Sequence, residues 1–393
     1  MRGGRNGPVL EETYGHTPAR KAFELMDVYG VGFDEERAAR KKVPLLVIGM
    51  GGVAQSKYLP ALTRLQVMWE SVQLVAFAEP REDQGKKVQQ ISGARWYRDY
   101  RQMLAEEDAD GVLVLSPDDL HAEHTIASFE AGRHVLVEKP ICRSLAEAEK
   151  MCRLADEKGL ILMTVATKRY SAPYRRAKNL IVDGPVSNPA LYTGKFNLGY
   201  DYVDLLESGT IHLFDLTRYF MGDVSVVRAI GINKYQRNRR PYPLDNLVAS
   251  FEFESGAVGA IYSSSSALSF KPWERVEVYG NRAWLSVEDQ YELVLHDSEE
   301  GPTKVWKPVI PNTLLFDEEF GGFVGLLENF LQALRGIEKP LVTGWDGYRA
   351  LELSVACHLS LSLRDEIHLP LDPLSATKEL QSWLRGTGGQ RRP

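Results

Sequence analysis

Three features are scarce in this sequence: cysteine, long apolar runs and clusters of basic residues. The cysteines Cys142, Cys152 and Cys357 form no C-x-x-C pair and no zinc-binding spacing, which is typical of proteins from a reducing compartment. No stretch approaches the roughly 20 apolar residues of a membrane span, and the first residues contain no apolar signal segment. We therefore expect a cytoplasmic protein without a membrane partner.

The charged residues argue against a nucleic-acid partner. The net charge is −6 at pH 7, and Lys and Arg are not clustered as phosphate binding requires. His121 and His124 flank Glu123, but no third ligand accompanies them, so we predict no metal. We therefore predict that the protein binds a small molecule.

The chain of 393 residues, 44% of them hydrophobic, is long enough for two cores. Residues 1–42 are polar and predict an arm that docks on a neighbouring subunit or over a cofactor. Over 43–166, short apolar runs alternate with helical stretches, which predicts an α/β fold with a parallel Rossmann sheet. Over 167–372, strand-turn-strand patterns predict an α+β domain with a mostly antiparallel open sheet and a helix near 346–364 that packs back on the first domain. Residues 373–393 are interpreted as a polar tail.

A glycine-rich turn follows the first predicted strand and runs directly into a predicted helix. Its residues are Gly49, Met50, Gly51, Gly52, Val53 and Ala54, the G-x-G-x-x-A form of the dinucleotide-binding fingerprint. Gly49 permits the tight turn, Gly51 lets the backbone approach a pyrophosphate, and Ala54 keeps the helix close to the strand. We predict that the helix N-terminus binds the phosphates of a nicotinamide dinucleotide.

The second predicted strand ends at Glu79. A carboxylate at this position accepts the ribose hydroxyls of NAD and repels the 2′-phosphate of NADP. Arg81 stands two residues further on and is able to bind a phosphate, so NADP stays a weaker alternative. The prediction is NAD.

From the motif RHVLVEKP onward, the sequence resembles the family of glucose–fructose oxidoreductase, inositol dehydrogenase and rhizopine-catabolism proteins, called Gfo/Idh/MocA. The resemblance covers roughly residues 43–372. It depends on ordered motifs: GMGGVA, SPDDLHAEHTIASFEAGRHVLVEKP, KRYSAPYRRAKNLIVDG, SGTIHLFDLTRYFMG and TGWDGYRALELSVACHLSLS. It implies a Rossmann domain followed by an open antiparallel sheet, and oxidation or reduction of sugars, cyclitols or related polyols.

The resemblance also implies positions for site residues. Glu138 and Lys139 of the EKP motif would lie beside the nicotinamide at the carboxyl edge of the first sheet. Ser116, Pro117 and His121 would lie along the cofactor. The second-domain sheet would support assembly, and we predict a homo-oligomer, a dimer or tetramer, through a self-complementary face.

Oxidation of a secondary alcohol needs a base for the hydroxyl proton and a positive charge for the developing alkoxide. We assign the base to His212 and the charge to Lys139. His212 and Asp215 are three residues apart in a helical segment, so both are predicted to meet the polyol. Further substrate-binding candidates are Lys168, Arg169, Tyr200 and Tyr202.

The sequence departs from many relatives at two positions. Ser208 stands where relatives place an aspartate four residues before the histidine, so the imidazole is oriented by Glu207, Asp215 or a tyrosine of the YDY loop. With no aspartate at that position, a base near the ordinary histidine pKa of ~6.5 is expected. Asp118 stands where relatives often carry asparagine and adds a negative charge near the cofactor.

The leading hypothesis is an NAD-dependent oxidoreductase that acts on a CH–OH group of a sugar, nucleotide sugar or cyclitol. A second hypothesis is an NAD-dependent glycosidase or eliminase that uses transient oxidation. A third is a sensor that binds NAD and sugar without turnover. Ser208 favours this hypothesis, whereas the intact EKP motif argues against it.

Overall fold

A computed structural model describes residues 42–68, 71–198, 204–234, 244–266, 272–308 and 320–387. The predicted arm lies outside the described residues except for Lys42, and Tyr200 and Tyr202 also lie outside them. Within the described ranges, no helix is both long enough and apolar enough to cross a membrane.

The first sheet is parallel and has the strand order β3-β2-β1-β4-β5-β6. Its strands are β1 (Val43–Ile48), β2 (Val72–Ala78), β3 (Arg95–Tyr97), β4 (Gly111–Val114), β5 (His134–Val137) and β6 (Leu162–Thr164). β1 and β4 are buried along almost their whole length and therefore appear in the sequence as continuous apolar runs. The strand order reverses at β1 and β4, so the carboxyl ends of these strands form the crevice where such sheets bind ligands.

The helices alternate with the strands of the first sheet, whereas, among the described residues, most strands of the second sheet follow one another without a helix between them. They are α1 (Leu59–Met68), α2 (Glu82–Ser92), α3 (Tyr100–Glu106), α4 (His121–Glu130), α5 (Leu145–Lys158), α6 (Ala172–Val182), α7 (Ile211–Met221), α8 (Phe320–Leu334), α9 (Gly344–Leu363) and α10 (Pro373–Thr387). Short π-helical segments over Ala54–Tyr58 and Leu205–Thr210 precede α1 and α7 directly. α7 ends at Met221 and is followed by Gly222, whose φ is +86°.

Among the described residues, the second sheet has nine strands in the order β14-β13-β12-β11-β7-β10-β9-β8-β15. They are β7 (Leu191–Asn197), β8 (Val224–Ile232), β9 (Asn246–Phe253), β10 (Val258–Ser264), β11 (Glu274–Tyr279), β12 (Trp284–Glu288), β13 (Glu292–His296), β14 (Lys304–Trp306) and β15 (Ile367–His368). Of the strand pairs that the structure describes in this sheet, only β7 with β10 is parallel, and the others are antiparallel. The predicted mostly antiparallel sheet is confirmed.

Two helices from the end of the chain return to the first sheet. α8 packs against α1, and its Leu327 and Phe330 are buried in one core cluster with Leu45 of β1. α9 packs against α5 and β6 as well as α7 and β8, so it connects the two domains. The first core is therefore completed by residues more than 150 positions away in the sequence.

The segment interpreted as a polar tail forms a helix over most of its length. α10 packs against α5 and α9, and Ala376 and Leu380 are buried there. The four-residue spacing of these two apolar residues gives one narrow buried stripe on a mostly polar helix. That stripe is too narrow to stand out in the sequence.

Candidate cofactor and substrate site

The glycine-rich turn lies at the carboxyl end of β1. Gly49 has φ +92°, and a Cβ there would lie 2.8 Å from backbone atoms of Leu115 and Ser116, so only glycine fits. At Gly51 and Gly52 a Cβ would meet no atom within 4 Å. The protein itself therefore leaves the approach to these two residues open, as a pyrophosphate close to the backbone requires.

Met50, in the middle of this turn, is held in place by polar side chains. Glu79 Oε2 accepts the Met50 backbone N–H at 3.1 Å. Gln55 donates its side-chain amide to the Met50 carbonyl at 2.7 Å, and Gln84 donates to the same oxygen. Three side chains thus hold the backbone of the turn at Met50.

Glu79 is buried at the end of β2 and is paired with Arg81. Burial raises the pKa of the Glu79 carboxyl, but hydrogen bonds from the Arg81 side chain and from the backbone of Arg81 and Met50 outweigh it, so the pKa is lowered overall. The carboxylate is negative at neutral pH. Arg81, the alternative phosphate ligand, donates its Nε–H to Glu79 Oε1 at 2.7 Å.

The loop after β4 is tied to the EKP loop by a buried histidine. His121 Nε2 lies 2.8 Å from the Ser116 carbonyl, and Nδ1 lies 2.8 Å from the Pro140 carbonyl. His121 is fully buried, so it connects the two loops beneath the cleft, and no ring nitrogen is left to face a cofactor. His124 lies 2.8 Å from Ser116 Oγ, and burial lowers the pKa of His124 to about 4.

The EKP motif follows β5. Glu138 is buried, and its Oε2 accepts the Lys139 backbone N–H at 2.9 Å. Its Oε1 accepts a hydrogen bond at 2.9 Å from the Tyr58 hydroxyl, which comes from the π-helical segment after the glycine turn. Sequence reasoning missed Tyr58 because no motif marks it, and only the fold brings it to Glu138.

His212 and Lys139 line one small cavity at the junction of the two domains, together with Asp215. Burial, followed by the positive charges of Lys168 and Lys139, lowers the pKa of His212 well below its ordinary value of 6.5. The expectation of a base near 6.5 is therefore wrong for the structure described. His212 is a neutral imidazole at pH 7, as a proton acceptor must be.

The other charged candidates are engaged in buried ion pairs. Lys168 pairs with Glu274, which also accepts the Tyr174 hydroxyl at 2.8 Å. Arg169 binds both oxygens of Asp215, at 3.0 and 2.7 Å. Arg169 also pairs with Asp346 at 3.2 Å. Lys168, Arg169 and Asp215 are therefore each engaged in a buried ion pair.

Of the groups expected to orient His212, neither Asp215 nor Glu207 hydrogen-bonds to the imidazole among the described residues, and Asp215 is held by Arg169. The tyrosines of the YDY loop lie outside the described residues. Glu207 lies near Asp204, Asp118 and Arg143. Burial and the two carboxylates raise the pKa of Glu207 to about 8 although Arg143 opposes them. Asp118 lies 3.9 Å from Arg143, so its added charge is partly compensated.

The residues present fit a nicotinamide dinucleotide. The turn offers open glycines, a helix start for phosphates and a negative carboxylate at the ribose-reading strand end. Within the described part of the chain, no three His, Cys, Asp or Glu residues are grouped to hold a metal ion.

Profiles of one oxidoreductase family match both halves of the chain. Residues 43–166 match its NAD-binding Rossmann fold, and residues 206–369 match its C-terminal alpha/beta domain. The myo-inositol 2-dehydrogenase of Thermotoga maritima is 27% identical over 308 residues, which are 75% of this chain and 91% of that protein. The NAD(+)-dependent scyllo-inositol 2-dehydrogenase of Bacillus subtilis is 26% identical over 317 residues, 76% and 89% of the two chains.

Solved structures show the same fold. A probable dehydrogenase from Thermotoga maritima superposes with a TM-score of 0.70 at 24% identity, covering 83% of this chain and 98% of that one. A levoglucosan dehydrogenase in complex with NADH and levoglucosan superposes with a TM-score of 0.74 at 19% identity, covering 84% and 100%.

Proposed function

The chain belongs to the Gfo/Idh/MocA family of oxidoreductases with an NAD-binding Rossmann fold, and from this premise we propose that it moves a hydride between NAD and a secondary alcohol or ketone of a sugar, nucleotide sugar or cyclitol. The observation that carries the proposal is the cavity that Lys139 and His212 line together. It lies where the carboxyl edge of the first sheet meets α7.

NAD, when bound, supplies the acceptor for the hydride that leaves the substrate carbon. The phosphates would lie on Gly51 and Gly52, the ribose hydroxyls near Glu79, and the reacting end near Glu138 and Lys139. Ser116 and Pro117 form the loop between these ends. Since Gly49 is demanded by the fold itself, we assign it a shaping role.

His212 accepts the hydroxyl proton in the oxidation. Its lowered pKa keeps it neutral and ready at pH 7. The Lys139 ammonium stabilises the negative charge that develops on the substrate oxygen. In the reverse direction the same groups protonate and polarise a ketone.

The substrate class is supported by the relatives, which include dehydrogenases of myo-inositol, scyllo-inositol and D-apiose. Lys168, Arg169 and Asp215 form the charged wall beside His212. We propose that they shape the cleft and offer their remaining hydrogen-bonding capacity to polyol hydroxyls, as would Tyr200 and Tyr202.

We further propose that the protein is a homo-oligomer. The outer face of the second sheet carries an apolar row across three strands, in which Val248 pairs with Ile230 and Tyr262. These side chains are 56%, 77% and 51% exposed, and a patch of this kind usually marks an interface.

A reducing compartment such as the cytoplasm suits the three cysteines, which are buried free thiols.

The test is a screen for reduction of NAD by a panel of cyclitols, aldoses and nucleotide sugars. We expect absorbance at the reduced-nicotinamide band to rise with at least one polyol and to fall when the matching ketone is added with NADH. A protein that cleaves a glycoside with no net NADH would be a glycosidase or eliminase. A protein that binds sugar without any spectral change would be a sensor. Either result would overturn the proposal.

A further inference from the structure

One hydrogen bond connects the glycine-rich turn to the EKP motif on the other side of the crevice. Tyr58 ends the π-helical segment that begins at Ala54, directly after the turn. Its side chain is buried, and its hydroxyl donates to Glu138 Oε1 at 2.9 Å. Tyr58 and Glu138 are 80 residues apart in the sequence.

The Glu138 carboxylate, which accepts the hydrogen bond from Tyr58, also binds the backbone of Lys139. Glu138 Oε2 accepts the Lys139 N–H at 2.9 Å, while the Glu138 N–H donates to the Val114 carbonyl of β4 at 2.9 Å. The carboxylate therefore has one oxygen on Tyr58 and the other on the residue that carries the proposed charge. A single buried side chain therefore lies between the Tyr58 hydroxyl and the Lys139 backbone.

The ring of Tyr58 and its hydroxyl have separable roles. The ring packs edge-on against Phe323 of α8, with centroids 5.2 Å apart, and a phenylalanine would make the same contact. Among the described residues, the hydroxyl adds the bond to Glu138 alone. π-Helical turns are frequent at functional sites, and this one ends at Tyr58 itself.

We propose that Tyr58 is a positioning residue, which holds Lys139 at the reacting end of the site through Glu138 and so couples the phosphate-binding turn to that end. This inference depends on the proposed function for the role of Lys139. The link between Tyr58 and Lys139 is testable without a substrate.

The experiment labels lysines with acetic anhydride, with and without NADH, and reads Lys139 by peptide mass spectrometry. In the unmodified protein we expect NADH to protect Lys139. Tyr58→Phe should reduce that protection at least about threefold, while NADH affinity measured by fluorescence changes less than about threefold. It should also change the labelling rate of Lys139 without nucleotide.

Tyr170→Phe is the matched control, because Tyr170 is buried in the same core cluster and donates to Asn329 at 2.9 Å. It removes an equivalent buried hydroxyl away from Glu138. We expect a similar loss of melting temperature and normal labelling of Lys139. If Tyr58→Phe also changed only the melting temperature, Tyr58 would be structural and the inference wrong.

A double-mutant cycle tests the route through Glu138. If Tyr58 acts through that carboxylate, Tyr58→Phe should add nothing to the labelling change of Glu138→Ala. Additive effects would contradict the route. If NADH did not protect Lys139 in the unmodified protein, the proposed role of Lys139 would be contradicted. The effect of Tyr58→Phe on the labelling rate of Lys139 without nucleotide would then still decide the role of Tyr58.

Discussion

His212 illustrates how environment, more than residue type, sets the chemistry of the site. Desolvation, followed by the positive charges of Lys168 and Lys139, lowers the pKa of His212. A base is active in its deprotonated form, and the acid limb of the pH profile follows its pKa. We predict that kcat/KM falls only below the ordinary histidine value of 6.5. An acid limb at or above that value would contradict this environment.

Lys168→Met tests the electrostatic cause. Removal of a positive charge favours the protonated imidazole, so the acid limb should move to higher pH. The variant leaves buried Glu274 unpaired and should cost about 3–5 kcal/mol of stability. In the matched double variant Lys168→Met/Glu274→Gln, both charges of the pair are lost, so the shift and the destabilisation should both be smaller.

Glu79 determines cofactor choice in this account. Glu79→Gln keeps an acceptor for the Met50 N–H but removes the charge that repels a 2′-phosphate. The ratio of NAD to NADP affinity should fall about tenfold, or ~1.4 kcal/mol. Glu107→Gln is the control, since Glu107 is also buried and arginine-paired, through Arg95 of β3. A wild-type protein that binds NADP more tightly than NAD would refute the role of Glu79.

At the residue level, the sequence predicted what depends on neighbours along the chain and missed what depends on distant partners. The glycine turn was predictable because strand, glycines and helix are consecutive. Tyr58 and the pairing of Lys168 with Glu274, 106 residues apart, were not, because no local pattern specifies either contact. The ion pairs of Arg169 likewise appear only in the fold.

At the scale of elements, α8 is as much a part of the first core as the strands it covers. Phe330 is fully buried and lies against Gly111 of β4. Phe330→Ala should cost about 3–5 kcal/mol in the free energy of unfolding, measured by denaturant titration. Val67→Ala, at an exposed position of α1, should stay within about 0.5 kcal/mol. Equal effects would mean that α8 does not complete this core.

Strands were predictable from the sequence where one face or both faces of the strand are buried. Buried residues alternate with more exposed ones along β9 and β10. The same alternation, with a turn between the two strands, is visible in the sequence. The three-residue strand β3 has no such period. The sequence analysis predicted that the helix near 346–364 packs back on the first domain, and α9 contacts α5 and β6 there. The return of α8 to the first sheet was not predicted, because it is a property of the whole topology.

At the scale of the whole molecule, the exposed row on the second sheet predicts self-association. Val248→Lys places a charge in the middle of that row and should shift the protein towards monomers in light scattering at micromolar concentration. Val305→Lys is the control, because Val305 is similarly exposed at the opposite end of the same sheet. A monomeric wild-type protein would contradict the assembly.

The central claim is that Lys139 and His212 act on the substrate hydroxyl and leave cofactor binding to other residues. The direct measurement is the rate of nicotinamide reduction by the best polyol of the panel, with NAD affinity determined in parallel, for His212→Ala and Lys139→Met. Proton transfer by a positioned group contributes ~10²–10⁴-fold, so turnover should fall by that order in both variants while NAD affinity stays within about threefold. Losses below tenfold, or turnover lost only together with NAD binding, would contradict the account.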